Sequence, residues 1–162
     1  MVVKLLIVAA YFLVFCVLLP FALWFAGAWI DGATGWFPVR VPPGLAYGVL
    51  IPGLGLLGWG MAALWFEGRG LPVSALPPPR LARRGPYRWV RHPIYLGFHV
   101  ALVGSALLLG SKGLMLVSVA FAPVWVGYAL EEEGSLERRF GLAWTRYRTR
   151  VGLLPKPSLY LL

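Results

Sequence analysis

Four long apolar runs that contain no Asp, Glu, Lys or Arg limit what this chain can fold into. They cover residues 5–30, 45–66, 93–110 and 114–130. A helix of about 20 apolar residues crosses a hydrocarbon layer of about 30 Å, so the runs predict membrane-spanning helices. Hydrophobic residues make up 59% of the chain and charged residues 13%. This composition excludes a soluble globular domain and a disordered chain.

We therefore expect an all-α polytopic membrane protein with about four transmembrane helices in one domain, residues 1–162. Residues 1–66 provide two N-terminal spans, and residues 67–92 form a polar loop. Residues 93–130 form a helical hairpin, and residues 131–162 form an amphipathic helix and a tail. The first run is too long for the apolar core of a signal peptide, so we expect a retained helix.

The distribution of charge predicts the topology of these spans. Four spans place both termini on the same side as residues 67–92. That side holds most of the net charge of +9, whereas Lys112 alone gives the opposite side its net +1. The positive-inside rule then makes the loop and the tail cytoplasmic. We expect a prokaryotic inner-membrane protein whose two termini, and any site on the loop or the tail, are cytoplasmic, and we expect its basic residues to serve topology rather than nucleic-acid binding.

The content of cysteine and histidine excludes several kinds of site. The single cysteine, Cys16, allows neither a disulfide nor a thiolate metal cluster within the chain, and two histidines are too few for a multi-histidine di-iron site. We expect no metal. His99 lies one heptad after His92 and deeper in the third run, where an ionisable residue suggests a function. A histidine that only packs between helices is the alternative.

Residues 53–58 match the glycine pattern of a dinucleotide-binding loop, GxGxxG. That function needs the pattern between a strand and a helix, whereas here it lies inside an apolar run and follows Pro52. We interpret the glycines as sites of close helix packing or of a kink.

Two polar segments flank the predicted hairpin, and the first leads into its first helix. Pro93 suits the first helical position, and the next three N–H groups, those of Ile94, Tyr95 and Leu96, are expected to have no partner within the helix. Such a helix start binds anions, and Arg88 and Arg91 add positive charge beside it. A general membrane anchor, with arginines on lipid phosphates, is the alternative.

The second polar segment continues the last predicted span. Phe121, Trp125, Tyr128 and Glu132 are spaced four, three and four residues apart, so Glu132 is expected to face inward. Arg88, Arg91 or a cationic ligand would compensate its charge. A solvated acidic helix start is the alternative. Residues 136–151 predict an amphipathic helix that lies on the membrane surface or caps the hairpin.

These two segments resemble the superfamily of isoprenylcysteine carboxyl methyltransferases and phospholipid methyltransferases, which are integral membrane enzymes. The resemblance covers roughly the last half of the chain, and Trp144 replaces a usual Tyr. The matching residues are Gly85-Pro86-Tyr87, Arg91-His92-Pro93-Ile94-Tyr95-Leu96-Gly97, Glu132-Glu133, Leu136, Phe140-Gly141, Trp144, Tyr147, Val151 and Pro155.

The resemblance implies a methyltransferase that uses S-adenosyl-L-methionine, bound between the hairpin and the C-terminal helix. It implies a lipid or small membrane-soluble acceptor that carries a carboxylate, an amine or a thiol. Arg91 would orient the acceptor or hold the donor, and Glu133 or His99 would be the base for an amine. The implied cofactor residues are Arg80, Leu81, Ala82, Tyr87, His92, Pro93, Ile94, Tyr95 and Glu132.

One departure bears on the acceptor. Prenylcysteine enzymes of this superfamily hold the substrate carboxylate with an arginine four residues before the glutamate pair, and Tyr128 occupies that position here. This residue disfavours a prenylcysteine. Two other classes stay open: an NADPH-dependent membrane reductase related to sterol reductases, and a non-enzymatic membrane scaffold. Sterol reductases are usually much longer than this chain.

Overall fold

The computed structural model describes residues 6, 9–10, 13–70 and 78–155. The predicted start of the first span, part of the polar loop and the end of the tail lie outside the described residues. Two π-helical turns, Val14–Leu18 and Leu64–Gly68, adjoin the helices, and a 3-10 turn spans Gly85–Arg88. The helices are α1 (Leu19–Thr34), α2 (Pro43–Ala63), α3 (Pro93–Leu109), α4 (Lys112–Phe140) and α5 (Leu142–Arg150).

The described chain is helical and suited to a membrane, which confirms the predicted fold class. Three stretches, Val14–Thr34, Pro43–Gly68 and Lys112–Phe140, are long and apolar enough to cross a bilayer. The shorter apolar helix α3 has 17 residues, or about 26 Å. Within the described ranges, β-structure is limited to one isolated bridge between Val90 and Gly152. The protein is thus an integral membrane protein.

Helix α4 runs further than the sequence indicated. It continues through the three consecutive glutamates without interruption and ends at Phe140. Gly141 breaks the chain with φ 50° and ψ −127°, a conformation that only glycine adopts readily. The single helix predicted over residues 136–151 is therefore wrong: the end of α4 and the short helix α5 share that stretch.

Small residues let α2 and α3 lie backbone to backbone. A Cβ atom added to Gly104 would lie 2.5 Å from the Cα of Leu50, and one added to Gly53 would lie 2.5 Å from the nitrogen of Ala101. Lipid tails provide no hydrophobic force that drives helices together, so close van der Waals packing of small residues is what holds such pairs. These contacts bind α3 to α2 along much of its length.

The glycine pattern at residues 53–58 is only partly a packing motif. Gly53 makes the close contact that we expected, whereas a Cβ atom at Gly55 or Gly58 would meet no atom within 4 Å. Both of these glycines are exposed. The interpretation as helix packing is thus confirmed for one glycine of the three.

The connection between α3 and α4 is tight, as predicted for the hairpin. Ser111 accepts a hydrogen bond from the nitrogen of Leu114 at 2.9 Å and caps α4. Asp31 of α1 accepts hydrogen bonds from the Ser111 hydroxyl and, at 2.7 Å, from the nitrogen of Gly113. Since α4 packs mainly on α1, and α3 mainly on α2, the two helices of the hairpin leave space between them.

The contact between α2 and α3 gives a direct test of this packing. We expect Gly104→Ala to lower the free energy of unfolding by about 1–3 kcal/mol, because the added methyl group overlaps the backbone of α2. Gly55→Ala is the matched control, and it should be neutral or stabilising by up to about 1 kcal/mol. The measurement is denaturation by dodecyl sulfate in mixed micelles, and equal midpoints for the two variants would contradict the packing.

Candidate active site

A cavity of about 660 Å³ lies between α3 and α4. One end of it is polar and is enclosed by residues 78–92 and 131–152, which we call the polar end. From there the cavity follows α3 from His92 to Ser105, a distance of about 20 Å along the helix. Its deeper walls are apolar and include Phe15, Pro20, Leu54, Leu57, Phe98, Leu102 and Phe121.

A buried ion pair joins the two polar segments at this end. The Nε of Arg91 donates to Oε1 of Glu133 at 2.7 Å, and the two side chains are 11% and 3% exposed. The Nε2 of His92 lies 3.4 Å from the same oxygen. The Nε of Arg148, on α5, lies 3.4 Å from the other oxygen of Glu133. One carboxylate on α4 thus contacts residues of two other segments, the one that precedes α3 and helix α5.

Glu132 lies on the cavity side of the same helix turn. Its Oε2 accepts a hydrogen bond from the hydroxyl of Tyr95 at 2.7 Å and lies 3.7 Å from Nδ1 of His92. The ring of Tyr95 is stacked on His92 and meets Tyr128 edge to face. A carboxylate surrounded by aromatic rings is a suitable environment for a cation.

The segment after α4 closes the polar end. Arg91 donates from its guanidinium to the carbonyl of Val151 and from its backbone nitrogen to the carbonyl of Gly152, both at 3.0 Å. The hydroxyl of Tyr147 donates to the carbonyl of Tyr87 at 2.8 Å. Burial raises the pKa of Tyr147, so this phenol keeps its proton and stays a donor.

The structure places the buried glutamate with an arginine partner at Glu133 and not at Glu132. We expected Glu132 to face inward, which it does in lining the cavity, and we expected Arg88, Arg91 or a cationic ligand to compensate its charge. Instead Glu133 is buried and pairs with Arg91, while the side chain of Glu132 is 36% exposed. Arg88 is exposed and forms no ion pair with the described residues.

Most of the predicted site residues meet at the polar end. Arg91 and seven of the predicted cofactor residues line the cavity: Leu81, Ala82, Tyr87, His92, Ile94, Tyr95 and Glu132. Three predicted residues lie outside its wall. Arg80 is exposed, Pro93 packs near Gly60 of α2, and Glu133 is held by Arg91. Their functional roles stay predictions.

Several cavity residues escaped the sequence analysis as site residues. Trp144 and Tyr147 of α5 are buried and line the polar end. Both occupy positions of the superfamily motif, but the implied cofactor residues do not include them. Phe15 and Cys16 reach the deep part of the cavity from the turn before α1, and no sequence pattern indicates this.

His99 lies close to the deep part of the cavity without lining it. Its ring centroid is 6.0 Å from that of Trp125, and its Nδ1 is buried with no hydrogen-bond partner among the described residues. Among the residues that the structure describes, it has no charged partner, and no hydrogen bond or ion pair joins it to the glutamates. Both interpretations of this histidine stay open.

The fold and the cavity define an integral membrane protein whose cavity combines a charged end with apolar deeper walls. The sequence profile of the phospholipid methyltransferase family matches residues 44–143. This stretch is more than half of the chain, and the chain belongs to that family.

One curated relative is similar to part of the chain. This relative is Methanethiol S-methyltransferase 1 of Bradyrhizobium diazoefficiens, which is 38% identical over 77 residues. The matched stretch covers 48% of this chain and 26% of that protein. The chain thus spans about a quarter of the length of the curated relative. No solved structure matches the chain significantly.

The buried ion pair predicts unequal costs for two neighbouring glutamates. Glu133→Gln leaves the charge of Arg91 in a mostly buried place and should lower the free energy of unfolding by about 3 kcal/mol. Glu137→Gln removes the charge of a side chain that is 52% exposed and should cost less than about 1 kcal/mol. Unfolding of the purified protein in detergent measures both, and equal losses would contradict the assignment of Glu133.

Proposed function

We propose that the chain is an S-adenosylmethionine-dependent membrane methyltransferase that binds its donor at the polar end of the cavity. The observation that carries the proposal is the position of Glu132. Its partly exposed carboxylate lies at the polar end of a cavity whose deeper walls are apolar. A charged, water-soluble donor and an apolar acceptor can meet in such a space. Membership in the phospholipid methyltransferase family supports the same reaction class.

The residues at the polar end suit the parts of the donor. Leu81, Ala82, Leu136 and Trp144 provide apolar surface of the kind that a purine ring contacts. The indole Nε1 of Trp144 is buried and has no hydrogen-bond partner among the described residues. An unpaired buried donor costs about 1–3 kcal/mol, which a ring nitrogen of a bound purine would offset.

The charged groups at this end suit the rest of the donor. Glu132 offers negative charge toward an ammonium, a sulfonium or ribose hydroxyls. The ring faces of Tyr95 and Tyr128 beside it favour a cation. The first N–H groups of α3 offer an anion site for a carboxylate. His92 lies between both glutamates and would fix the position of Glu132.

When bound, S-adenosylmethionine supplies a methyl group on a positively charged sulfur. The protein has no covalent step to perform, and its task is alignment and exclusion of water. Three aromatic residues are buried at the polar end and would keep water away from the donor: Tyr87, Trp144 and Tyr147. Arg91 and Glu133 would hold the walls in place, since each is engaged by the other.

The acceptor is proposed to enter from the membrane. From Tyr95 toward Ser105, away from the polar end, the cavity walls are almost entirely apolar. Such walls favour a lipid or a small membrane-soluble molecule. Arg91 is the one cation with a permanent charge in the described wall, and Glu133 already neutralises it. An acceptor carboxylate is therefore disfavoured, and an amine or a thiol is favoured. The name of the curated relative gives methanethiol, a thiol, as that protein's acceptor.

The excess of basic residues supports a cytoplasmic polar end. The segment that directly precedes α3 meets the C-terminal part there through Arg91, Gly152 and Tyr147. A donor made in the cytoplasm would then reach its site without crossing the membrane.

Binding of S-adenosylhomocysteine tests the proposed donor site. We expect the purified protein in detergent to bind it, and Glu132→Ala or His92→Ala to weaken binding at least tenfold, or about 1.4 kcal/mol. Glu131→Ala is the matched control, because Glu131 is exposed and does not line the cavity. Isothermal titration calorimetry measures all four proteins.

Two results would overturn the proposal. Wild-type affinity in both the Glu132 and the His92 variants would place the donor elsewhere. Saturable binding of NADPH, with no response to S-adenosylhomocysteine, would indicate a reductase instead.

A further inference from the structure

A second cleft of about 630 Å³ lies beside the polar end. It is separated from the main cavity by Leu81, the residue that lines both. The proposed donor site shares Leu81 with it, and Arg80, a predicted cofactor residue, lines this cleft and not the main cavity. The residues that line it are Glu67, Pro79, Arg80, Leu81, Arg83, Arg84, Phe140 and Ala143.

The lining of this cleft carries net positive charge from arginines whose guanidinium groups form no ion pair among the described residues. Arg80, Arg83 and Arg84 are exposed, and none of their guanidinium groups forms an ion pair within residues 13–70 and 78–155. Three arginines and one glutamate, Glu67, leave an excess of two positive charges in the lining.

The backbone that carries these arginines is held in place. Glu67 accepts hydrogen bonds from the nitrogen of Arg83 at 3.1 Å and from that of Arg84 at 2.9 Å. The nitrogen of Arg80 donates to the carbonyl of Gly68 at 3.1 Å. Both oxygens of Glu67 are thus engaged by backbone groups, and its carboxylate does not pair with the guanidinium groups.

The depth of the cleft in the membrane follows from Glu67. This residue lies in the last turn of the span Pro43–Gly68, so the cleft is at the level of the lipid headgroups. Phe140 and Ala143 add apolar surface to the same cleft. A ligand there meets cations, an apolar wall and the membrane surface together.

We propose that this cleft binds the phosphodiester headgroup of an anionic membrane lipid, with Arg83 and Arg84 as its main ligands. Arginine suits phosphate because its planar guanidinium can donate two parallel hydrogen bonds. The excess positive charge favours a lipid with net negative charge over a zwitterionic one. This site is independent of the proposed methyltransferase activity.

The test uses the whole protein in a neutral detergent and soluble dihexanoyl phosphatidylglycerol as the probe. We expect saturable binding by calorimetry, and a loss of at least tenfold in Arg83→Gln/Arg84→Gln, since each basic residue near a membrane surface contributes about a fivefold factor. Arg83→Gln alone should lose about fivefold. Arg138→Gln/Arg150→Gln is the matched control, because it removes the same charge outside the cleft and should change affinity less than twofold.

Three outcomes would overturn the proposal. One is equal binding of dihexanoyl phosphatidylcholine, which has the same tails without net charge. Another is an equal loss in the control double variant, which would indicate general attraction to a basic surface. The third is competition by inorganic phosphate at the affinity of the lipid, which would make the ligand a free anion.

Discussion

The ion pair between Arg91 and Glu133 holds the polar end of the molecule together. Arg91 precedes α3, Glu133 lies on α4, and the same arginine binds the carbonyls of Val151 and Gly152 after α5. Burial of two charges is costly, and the Coulomb attraction repays it only when further hydrogen bonds satisfy both groups. His92 and those carbonyls provide such partners. The pair therefore holds the polar end in place, and Glu132 and Tyr95 face the cavity from there.

The deeper half of the molecule depends on small residues instead. Gly53 and Gly104 let α2 and α3 approach closely, and Gly27 of α1 meets Leu114 of α4 in the same way. Because each helix of the hairpin is held by a partner outside the hairpin, α3 and α4 need not fill the space between them with their own contacts. That space is the apolar cavity. Polar contacts thus close the polar end of the cavity. Glycine contacts hold α3 to α2 and α4 to α1, so that the rest of the cavity stays unfilled.

Much of this was predictable from the sequence. The uncharged runs predicted the spans, because unpaired charges are costly in lipid. Pro93 predicted the start of α3. The rotation of α4 was not predictable: successive residues differ by about 100° around a helix, so three adjacent glutamates offer three faces. The aromatic stripe favoured Glu132, but Tyr128 and Glu132 face the cavity while Ala129 and Glu133 are buried. Only packing against Arg91 and α5 decides this.

Hydrogen–deuterium exchange tests most directly whether the polar end is the donor site. With S-adenosylhomocysteine at saturating concentration, slower exchange is predicted in residues 81–92 and 132–152, which enclose that end. Residues 31–43, at the opposite end of the helices, should exchange as before. Slower exchange confined to the opposite end, or no change in residues 81–92 and 132–152 at saturation, would contradict the account.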